Sequence, residues 1–554
     1  MKPGRPIASS MSALWSAWWE SNWLPISILS VAVWATFAQL AGNGLVFDDL
    51  DAIANNAAIR SLKNLPVLFS KDYFSLSDEY SYRPIVTASY FLDYAAAGAK
   101  PAVYHLHNVL LHHANVLLVF ALFVLLGVGR WRSFAIALLF ALHPLHTEAV
   151  IFPGFREDLQ MTAGMLAMSC CLAADREHPA ATWVLWAPVA LAVALFAKEG
   201  ALLLPVAWVA FDWLYGRRAR HEAMLARRYV LIVFVLLAYV LIRFVVMTNP
   251  AAVELDVVER LPLKERLIGA PHLFAYYIRR FLWPPPLCII PSVEPLTAMG
   301  PVLYFSILVV AAFIALWLEL ARREPWLLLA GLWVGAAFAP VANIYQIVNL
   351  WAERFYYSVG VGTSAIAVAG IAALCEHFAR RMTAARRLGL TIGVWVAVGF
   401  VAWVAAIYDL RRVRECRTTL SLWRATVRCA PTSGVALRTL AIAELEAGNL
   451  DRAEALVGEA EQHGGGGVYQ SNFILGEVDF RRGNWKAAVE HFKLALTGEP
   501  PSVASRTSLM MQLARAYQKL GEDAQAAATL RQAIEWDPEN PSPKSVLRTM
   551  KNGQ

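Results

Sequence analysis

The sequence predicts an all-α protein in two parts, a polytopic membrane bundle of about eleven spanning helices followed by a soluble solenoid of helical hairpins. Three observations carry this expectation. Of 554 residues, 58% are apolar and 16% charged, and 20 Trp and 26 Phe add to a positive mean hydropathy, a balance foreign to water-soluble globular chains. Apolar stretches long enough to cross, or nearly cross, a hydrocarbon core recur up to about residue 408. Beyond about 434 they give way to small residues recurring at hairpin spacing.

The apolar stretches lie at about 24–42, 105–127, 131–145, 159–175, 181–197, 200–215, 229–247, 302–320, 326–342, 357–376 and 388–408. The first follows Lys2 and Arg5, lacks a small-residue cleavage site and leads into an acidic loop, so it reads as a retained signal anchor behind a cytoplasmic segment 1–23. Later loops check the orientation, because short cytoplasmic loops collect Lys and Arg. Arg130 and Arg132, then Arg176, then Arg217, Arg218, Arg220, Arg227 and Arg228, then Arg322 and Arg323, then Arg380, Arg381, Arg386 and Arg387 all fall on the cytoplasmic side. The net charge of +7 is therefore read as topology and not as a nucleic-acid footprint. The stretch 262–283 is apolar but carries Lys264, Arg266, Arg279 and Arg280 and runs into Trp283-Pro284-Pro285-Pro286; counted as a span it would invert the pattern downstream, so 249–300 is expected to be interfacial or re-entrant. The bundle then covers 24–408, with a first exterior loop at 43–104. An odd number of spans places 409–554 outside, in the periplasm of a bacterium or, in a eukaryote, the ER lumen.

That last region repeats. Leu513, Ala514, Tyr517, Gly521, Ala526, Leu530, Ala533 and Pro538 fall at tetratricopeptide positions, as do Leu475, Gly476, Gly483, Ala488, Phe492, Ala495 and Pro500, and before them Leu440, Ala441, Gly448, Ala453 and Ala460. Small residues there let the two helices of a hairpin approach, and the Pro ends the second helix before the next unit. Such repeats supply a binding surface, not chemistry.

With topology set, most polar residues of the bundle collect on the exterior face. Asp48, Asp49 and Asp51 follow the first span; Arg83 stands in the loop; His105, His107, Asn108, His112 and His113 open the second span. Further on come His143, His146 and Glu148, then Arg156, Glu157 and Asp158, then Lys198 and Glu199, then Glu353, Arg354 and Tyr357. Ionisable groups at membrane depth are costly and call for a ligand, a pathway or a partner charge. Any one pair, such as Glu353 with Arg354, could simply brace the bundle, and Asp48 or Asp49 could cap a helix; all of them bracing at once explains the one-sided clustering less well. The histidines lack metal-box spacing and read as interfacial packing, so no metal ligand is assigned and no cofactor is expected, though a divalent ion is not excluded. Cys170, Cys171, Cys288, Cys375, Cys416 and Cys429 show no metal or redox spacing and read as packing residues. Cys416 and Cys429, if helical between, are about 20 Å apart and beyond bridging.

The order Phe47-Asp48-Asp49, Tyr82-Arg83-Pro84, Tyr104-His105-Leu106-His107-Asn108, Leu142-His143-Pro144-Leu145-His146-Thr147-Glu148-Ala149-Val150, Arg156-Glu157-Asp158-Leu159, Lys198-Glu199-Gly200 and Ala352-Glu353-Arg354-Phe355-Tyr356-Tyr357 resembles one family, the transmembrane and tetratricopeptide-repeat O-mannosyltransferases. The resemblance runs from about residue 40 to the end, and the segment 142–150 is its most specific piece. It implies a GT-C membrane fold whose site lies at the exterior surface and takes a sugar, mannose in this family, from a polyprenyl phosphate. About three repeats, against longer eukaryotic arrays, and no ER-retention tail point to a bacterial inner-membrane relative. By this resemblance Asp48 is the catalytic base, with Asp49 second. Arg354, Lys198, Arg156 and Arg83 would face the donor phosphate, with Arg279 and Arg280 in reserve. His143, His146, Glu148, Asp158, Glu199, Glu353 and Tyr357 would shape the sugar and acceptor pocket. The partners implied are a polyprenyl-phosphate sugar, membrane lipid, and an acceptor polypeptide or glycan held by the repeats, with no nucleic acid. An O-antigen-type ligase or polymerase and a non-enzymatic repeat scaffold are the competing readings. Neither requires an acid pair directly after the first span.

Overall fold

The computed structural model describes residues 11–74, 81–177, 179–215, 221–248, 261–284, 288–289, 296, 298–345, 350–465, 467–500, 502–538 and 540–552. Lys2, Arg5, Arg217, Arg218, Arg220, Pro285 and Pro286 lie outside them. The chain divides into two compact units, residues 1–287 with 293–417 and residues 288–292 with 418–554.

In the first unit, helix occupies every expected apolar stretch: α1 Met11–Phe37, α2 Pro84–Ala97, α3 Pro101–Leu125, α4 Arg130–Leu142, α5 Thr147–Ile151, α6 Arg156–Glu177, α7 Ala181–Ala197, α8 Leu204–Tyr215, α9 His221–Leu241, α10 Leu263–Leu282, α11 Pro301–Arg323, α12 Trp326–Phe338, α13 Val359–Ala379 and α14 Ala384–Glu415. Among the described residues, six stretches are long and apolar enough to cross a bilayer: Ser21–Gly42, α3, Arg228–Val246, α11, α13 and α14. A seventh arises if α4 is joined through a 57° bend to Pro144–Ile151. Of the remaining expected spans, α6 has 22 residues but is polar at both ends, while α7, α8 and α12 have 17, 12 and 13. A 12-residue helix is about 18 Å long, short of the ~30 Å hydrocarbon core. The shortening has a visible cause at 198–203, where α7 gives way to Lys198 and a 3₁₀ turn before α8 begins.

The outward faces are lipid-like, with Phe234, Leu237, Phe305, Leu308, Val396 and Phe400 all exposed. The candidate site lies at one end of the helices, and the far end is fastened by charge. There Arg228 Nε meets Asp175 at 2.6 Å and Nη1 meets Asp212 at 3.2 Å, while Arg176 and the Tyr229 hydroxyl also bind Asp212. Arg132 pairs with Glu324 at 2.7 Å and Glu376 at 2.6 Å. Helix α10 is amphipathic and presents Phe274, Tyr277, Arg280 and Phe281 to the protein.

The second unit stacks α15 Thr419–Cys429, the hairpins α16 Gly434–Glu446 with α17 Leu450–Gln462, α18 Val468–Arg482 with α19 Trp485–Thr497 and α20 Val503–Lys519 with α21 Asp523–Trp536, and α22 Pro541–Asn552. The repeat alanines do what their size suits them for: Ala488, Ala495, Ala514, Ala516 and Ala526 are buried around Phe492, Leu513 and Leu530. One expectation fails here. Cys288 and Cys429 form a disulfide across 141 residues, with Cα atoms 6.2 Å apart, whereas Cys170, Cys171, Cys375 and Cys416 are free. Linear spacing carries no trace of a pairing made by tertiary approach.

Candidate functional site

The acid pair stands on a strained turn. Phe47 adopts φ 57°, a left-handed conformation that costs a bulky residue free energy and persists only where surroundings enforce it. Its ring packs edge-on against Phe152 and Phe155. The two following carboxylates thereby part. Asp49 turns inward, fully buried, accepting the Gly154 N–H at 2.7 Å and the Val46 N–H at 3.1 Å. Asp48 stays open to solvent on one side. Gly154 permits this approach, since a Cβ there would lie 3.1 Å from the Asp48 carbonyl carbon and the Asp49 nitrogen. Burial pushes the Asp49 carboxyl up to about 7 against its two hydrogen bonds. Crowding by protein likewise lifts Asp48 to about 6, opposed by Arg354 and reinforced by Glu157, Glu148 and Asp51.

Around Asp48 runs a chain of ion pairs. Glu148, on the short helix α5, receives the Arg354 backbone N–H at 2.8 Å and its Nη1 at 2.7 Å. The guanidinium lies over Phe155, 3.7 Å from the ring centroid, and also feels Glu157 and Asp158. Lys198 reaches both Asp158 oxygens at 2.7 Å and Glu157 at 3.7 Å. Arg83 meets Glu157 at 3.1 Å and Glu199 at 3.8 Å. The carboxylates Glu157 and Asp158 occupy the first turn of α6, where the helix dipole favours negative charge. Against the crowding of surrounding protein, Arg83 and Lys198 hold the half-exposed Glu199 carboxyl below the ordinary range. Asp48, Arg354, Glu148, Glu157, Asp158, Lys198, Glu199 and Arg83 thus converge from six separated segments.

Other expected residues take supporting positions. Arg156 is fully buried with its donors spent on Asn108 at 2.8 Å, Ser89 at 2.9 Å, the Tyr104 carbonyl at 3.0 Å and Asp93 at 2.6 Å, which removes it from the set that could grip a donor phosphate. His143 donates from Nε2 to the Phe281 carbonyl at 3.0 Å, accepts the Leu145 N–H, and stacks on Phe281 at 4.5 Å. His146 gives its Nδ1 proton to the Phe140 carbonyl at 2.7 Å, and a Cβ on Gly360 would fall 2.1 Å from its Nε2. Both rings are packed into protein beneath the charges. The buried Tyr357 hydroxyl bridges His112 at 2.8 Å and Asn115 at 3.1 Å, bracing the turn before α13 against α3. Glu353 is fully buried beside the aromatic stack of Trp351, Tyr277 and Tyr356. Arg280 lies between Tyr276 and Trp351, 4.6 and 4.8 Å from their centroids, and Arg279 over Tyr276 at 5.4 Å. Among the described residues, no group of three or more His, Cys, Asp or Glu side chains is arranged to hold a metal ion.

Two contributors were given no role of their own from sequence. Glu157 sits between Arg156 and Asp158, and its role as the carboxylate shared by Arg83 and Lys198 has no signal apart from theirs. Asp93, which holds Arg156 and His107 Nδ1 at 2.8 Å, lies within an unremarkable helix.

A family model described as tetratricopeptide repeat matches residues 479–548. Protein O-mannosyl-transferase F38B6.6 of Caenorhabditis elegans is 25% identical over 423 residues, which cover 72% of this chain and 56% of that protein. Human protein O-mannosyl-transferase TMTC3 is 32% identical over 181 residues, 32% of this chain and 20% of the human one. The homologues are therefore protein O-mannosyl-transferases, and the chain spans about half the length of the nematode relative and a fifth of the human one. A crystal structure of ArnT from Cupriavidus metallidurans bound to undecaprenyl phosphate aligns over 92% of this chain and 79% of its own, at 16% identity and a TM-score of 0.37.

Proposed function

We propose that the chain is a membrane glycosyltransferase of GT-C type that moves a hexose, mannose, from a polyprenyl-phosphate donor to a hydroxyl of an exported polypeptide, Ser or Thr, on the non-cytoplasmic side of a bacterial inner membrane. The observation that carries this reading is Asp48: an open carboxylate on a strained turn, raised to about 6, facing Arg354 and the paired cations around Glu157. Asp48 accepts the proton of the acceptor hydroxyl as its oxygen attacks the anomeric carbon and the carbon–oxygen bond to phosphate breaks. The raised carboxyl is a better base than an ordinary one and is still ionised near neutrality. Attack opposite the phosphate inverts the anomeric centre. The leaving phosphate needs no acid; Arg354, Lys198 and Arg83, held by Glu148, Asp158, Glu157 and Glu199, stabilise its growing charge. Asp49 positions the turn, and the repeat unit offers a surface for the acceptor.

The test is mass spectrometry of exported proteins and envelope glycans from cells carrying wild type, Asp48→Asn or a gene deletion. Loss of a hexose from exported proteins in both altered strains supports the reading. Loss of a whole glycan polymer would assign the chain to polymer ligation, and unchanged profiles with Asp48→Asn would leave a scaffold.

A further inference from the structure

The end of the last membrane helix holds both arms of the candidate site, through groups that the transfer mechanism leaves unused. Asp409 is a fully buried carboxyl on α14. Its Oδ1 accepts the Thr147 hydroxyl at 2.9 Å, a proton that Thr147 shares with the Pro144 carbonyl at 2.6 Å. Its Oδ2 has no hydrogen-bond partner. Arg412, one turn on and also buried, does not serve it: no nitrogen of its guanidinium makes a hydrogen bond, and its ion-pair contact among the described residues is Glu415 Oε2 at 4.0 Å. A carboxyl buried for a single bond is a poor stabiliser, since an apolar residue of similar volume would fill the place without the loss of hydration. What the bond does fix is a position. Thr147 opens α5, and its neighbour Glu148 receives Arg354 through both the backbone N–H and the guanidinium.

One turn further, α14 takes hold of the acid loop. The last carbonyls of a helix lack partners within it, and here the loop supplies them. Asn43 Nδ2 donates to the Val413 carbonyl at 2.9 Å, and the Gly44 N–H to that of Arg417 at 3.1 Å. Asp48 follows four residues after Gly44. Asp409 and Val413 are themselves four residues apart, about 6 Å along the helix axis. A single stiff turn of helix thus joins the segment that carries the proposed base to the segment that orients the proposed phosphate cation.

We propose that the end of α14 is a gauge between the two arms: Asp409, through Thr147, sets where the Glu148–Arg354 pair meets the donor, and Asn43, through the Val413 carbonyl, sets where Asp48 meets the acceptor. Both are positioning residues and neither touches substrate. This deepens the transferase reading and rests on it. The two ties act on different steps. Without the Asp409 tie, Arg354 drifts from the donor phosphate and donor binding weakens. Without the Asn43 tie, Asp48 drifts from the attacking hydroxyl and transfer slows once both substrates are bound.

The test is steady-state transfer by purified full-length protein in nanodiscs, with polyprenyl-phosphate mannose as donor, a Ser/Thr peptide as acceptor, and thermal unfolding measured alongside. Asp409→Leu should raise donor KM about 3–10-fold, the usual worth of one hydrogen bond, at unchanged kcat. Thr147→Val should do the same, and the two together should do no more than either alone, as two ends of one contact require. Asp409→Asn keeps a hydrogen-bonding group and should recover most of the loss. Asn43→Ala should instead lower kcat by about 3–10-fold at unchanged donor KM. Additive effects of Asp409→Leu and Thr147→Val, or an Asp409→Asn no better than Asp409→Leu, overturn the tie. If Asp409→Leu does not fold, Thr147→Val and Asp409→Asn read the same contact. Variants that lose kcat, donor affinity and melting temperature together would make the end of α14 a support alone and overturn the gauge. A wild-type protein that transfers nothing overturns the transferase reading, whereas wild-type transfer without the split between kcat and KM overturns the gauge alone.

Discussion

Arg354 holds Glu148 twice, through its backbone N–H at 2.8 Å and its guanidinium at 2.7 Å. One carboxylate thereby sets both the path of the loop before α13 and the direction of its cation. Glu148→Gln leaves that cation buried without its counter-charge, a change that costs about 3–5 kcal/mol in such settings. The expected outcome is a lower melting temperature together with a raised KM for the donor, read by thermal unfolding in detergent and by transfer kinetics. An unchanged KM in a protein that still folds would remove Arg354 from the phosphate site.

Asp48 is open to solvent and its side chain makes none of the bonds that Asp49 makes, so Asp48→Asn should leave folding intact while lowering the transfer rate by about 10²–10⁴-fold, the usual worth of a general base. With its carboxyl at about 6, the base form is lost as pH falls through that value. The rate should therefore rise with pH up to about 6 and level above it, and the acid limb should vanish in Asp48→Asn. A limb that survives the substitution belongs to another group.

Gly154→Ala tests whether the strained turn matters. The added methyl would sit 3.1 Å from the Asp48 carbonyl carbon and the Asp49 nitrogen, backbone atoms that cannot swing aside, and 3.1 Å from the side-chain Asp49 Oδ1. Overpacking of this kind costs about 1–3 kcal/mol, and the acid pair bears it. We expect kcat to fall with little change in donor KM, measured by steady-state transfer.

The far-end network offers the converse. Asp212 receives Arg228, Arg176 and the Tyr229 hydroxyl, about 30 Å along α6 from the site. Asp212→Asn should lower thermal stability by about 3–5 kcal/mol and leave donor KM where it was. A shift in KM would mean that the two ends are coupled through α6.

Much of this was legible in the residues. Every apolar stretch formed helix, because burying backbone polar groups inside lipid leaves helix as the way to satisfy them, and the repeat alanines packed as their size requires. Lys198, Arg354, Glu148 and Asp158 could be brought to one place because charge at membrane depth seeks charge. Other features have no linear signature. The sequence alone could not separate Asp48 from Asp49, since the φ of Phe47 decides which carboxylate faces out. Nor could it retire Arg156, whose four partners come from α2 and α3. The Cys288–Cys429 pairing and the empty donors of Arg412 arise from tertiary approach alone.

The stitching of Asn43 and Gly44 to the end of α14 has a mechanical corollary. The apolar window of that helix has none of its residues buried, so bilayer thickness acts on it directly through tilt. A tilt of α14 pulls on the two carbonyls that anchor the acid loop, and Asp48 is four residues downstream of Gly44. On the transferase reading, vesicles of short or long acyl chains should therefore slow transfer without weakening the hold on donor or acceptor.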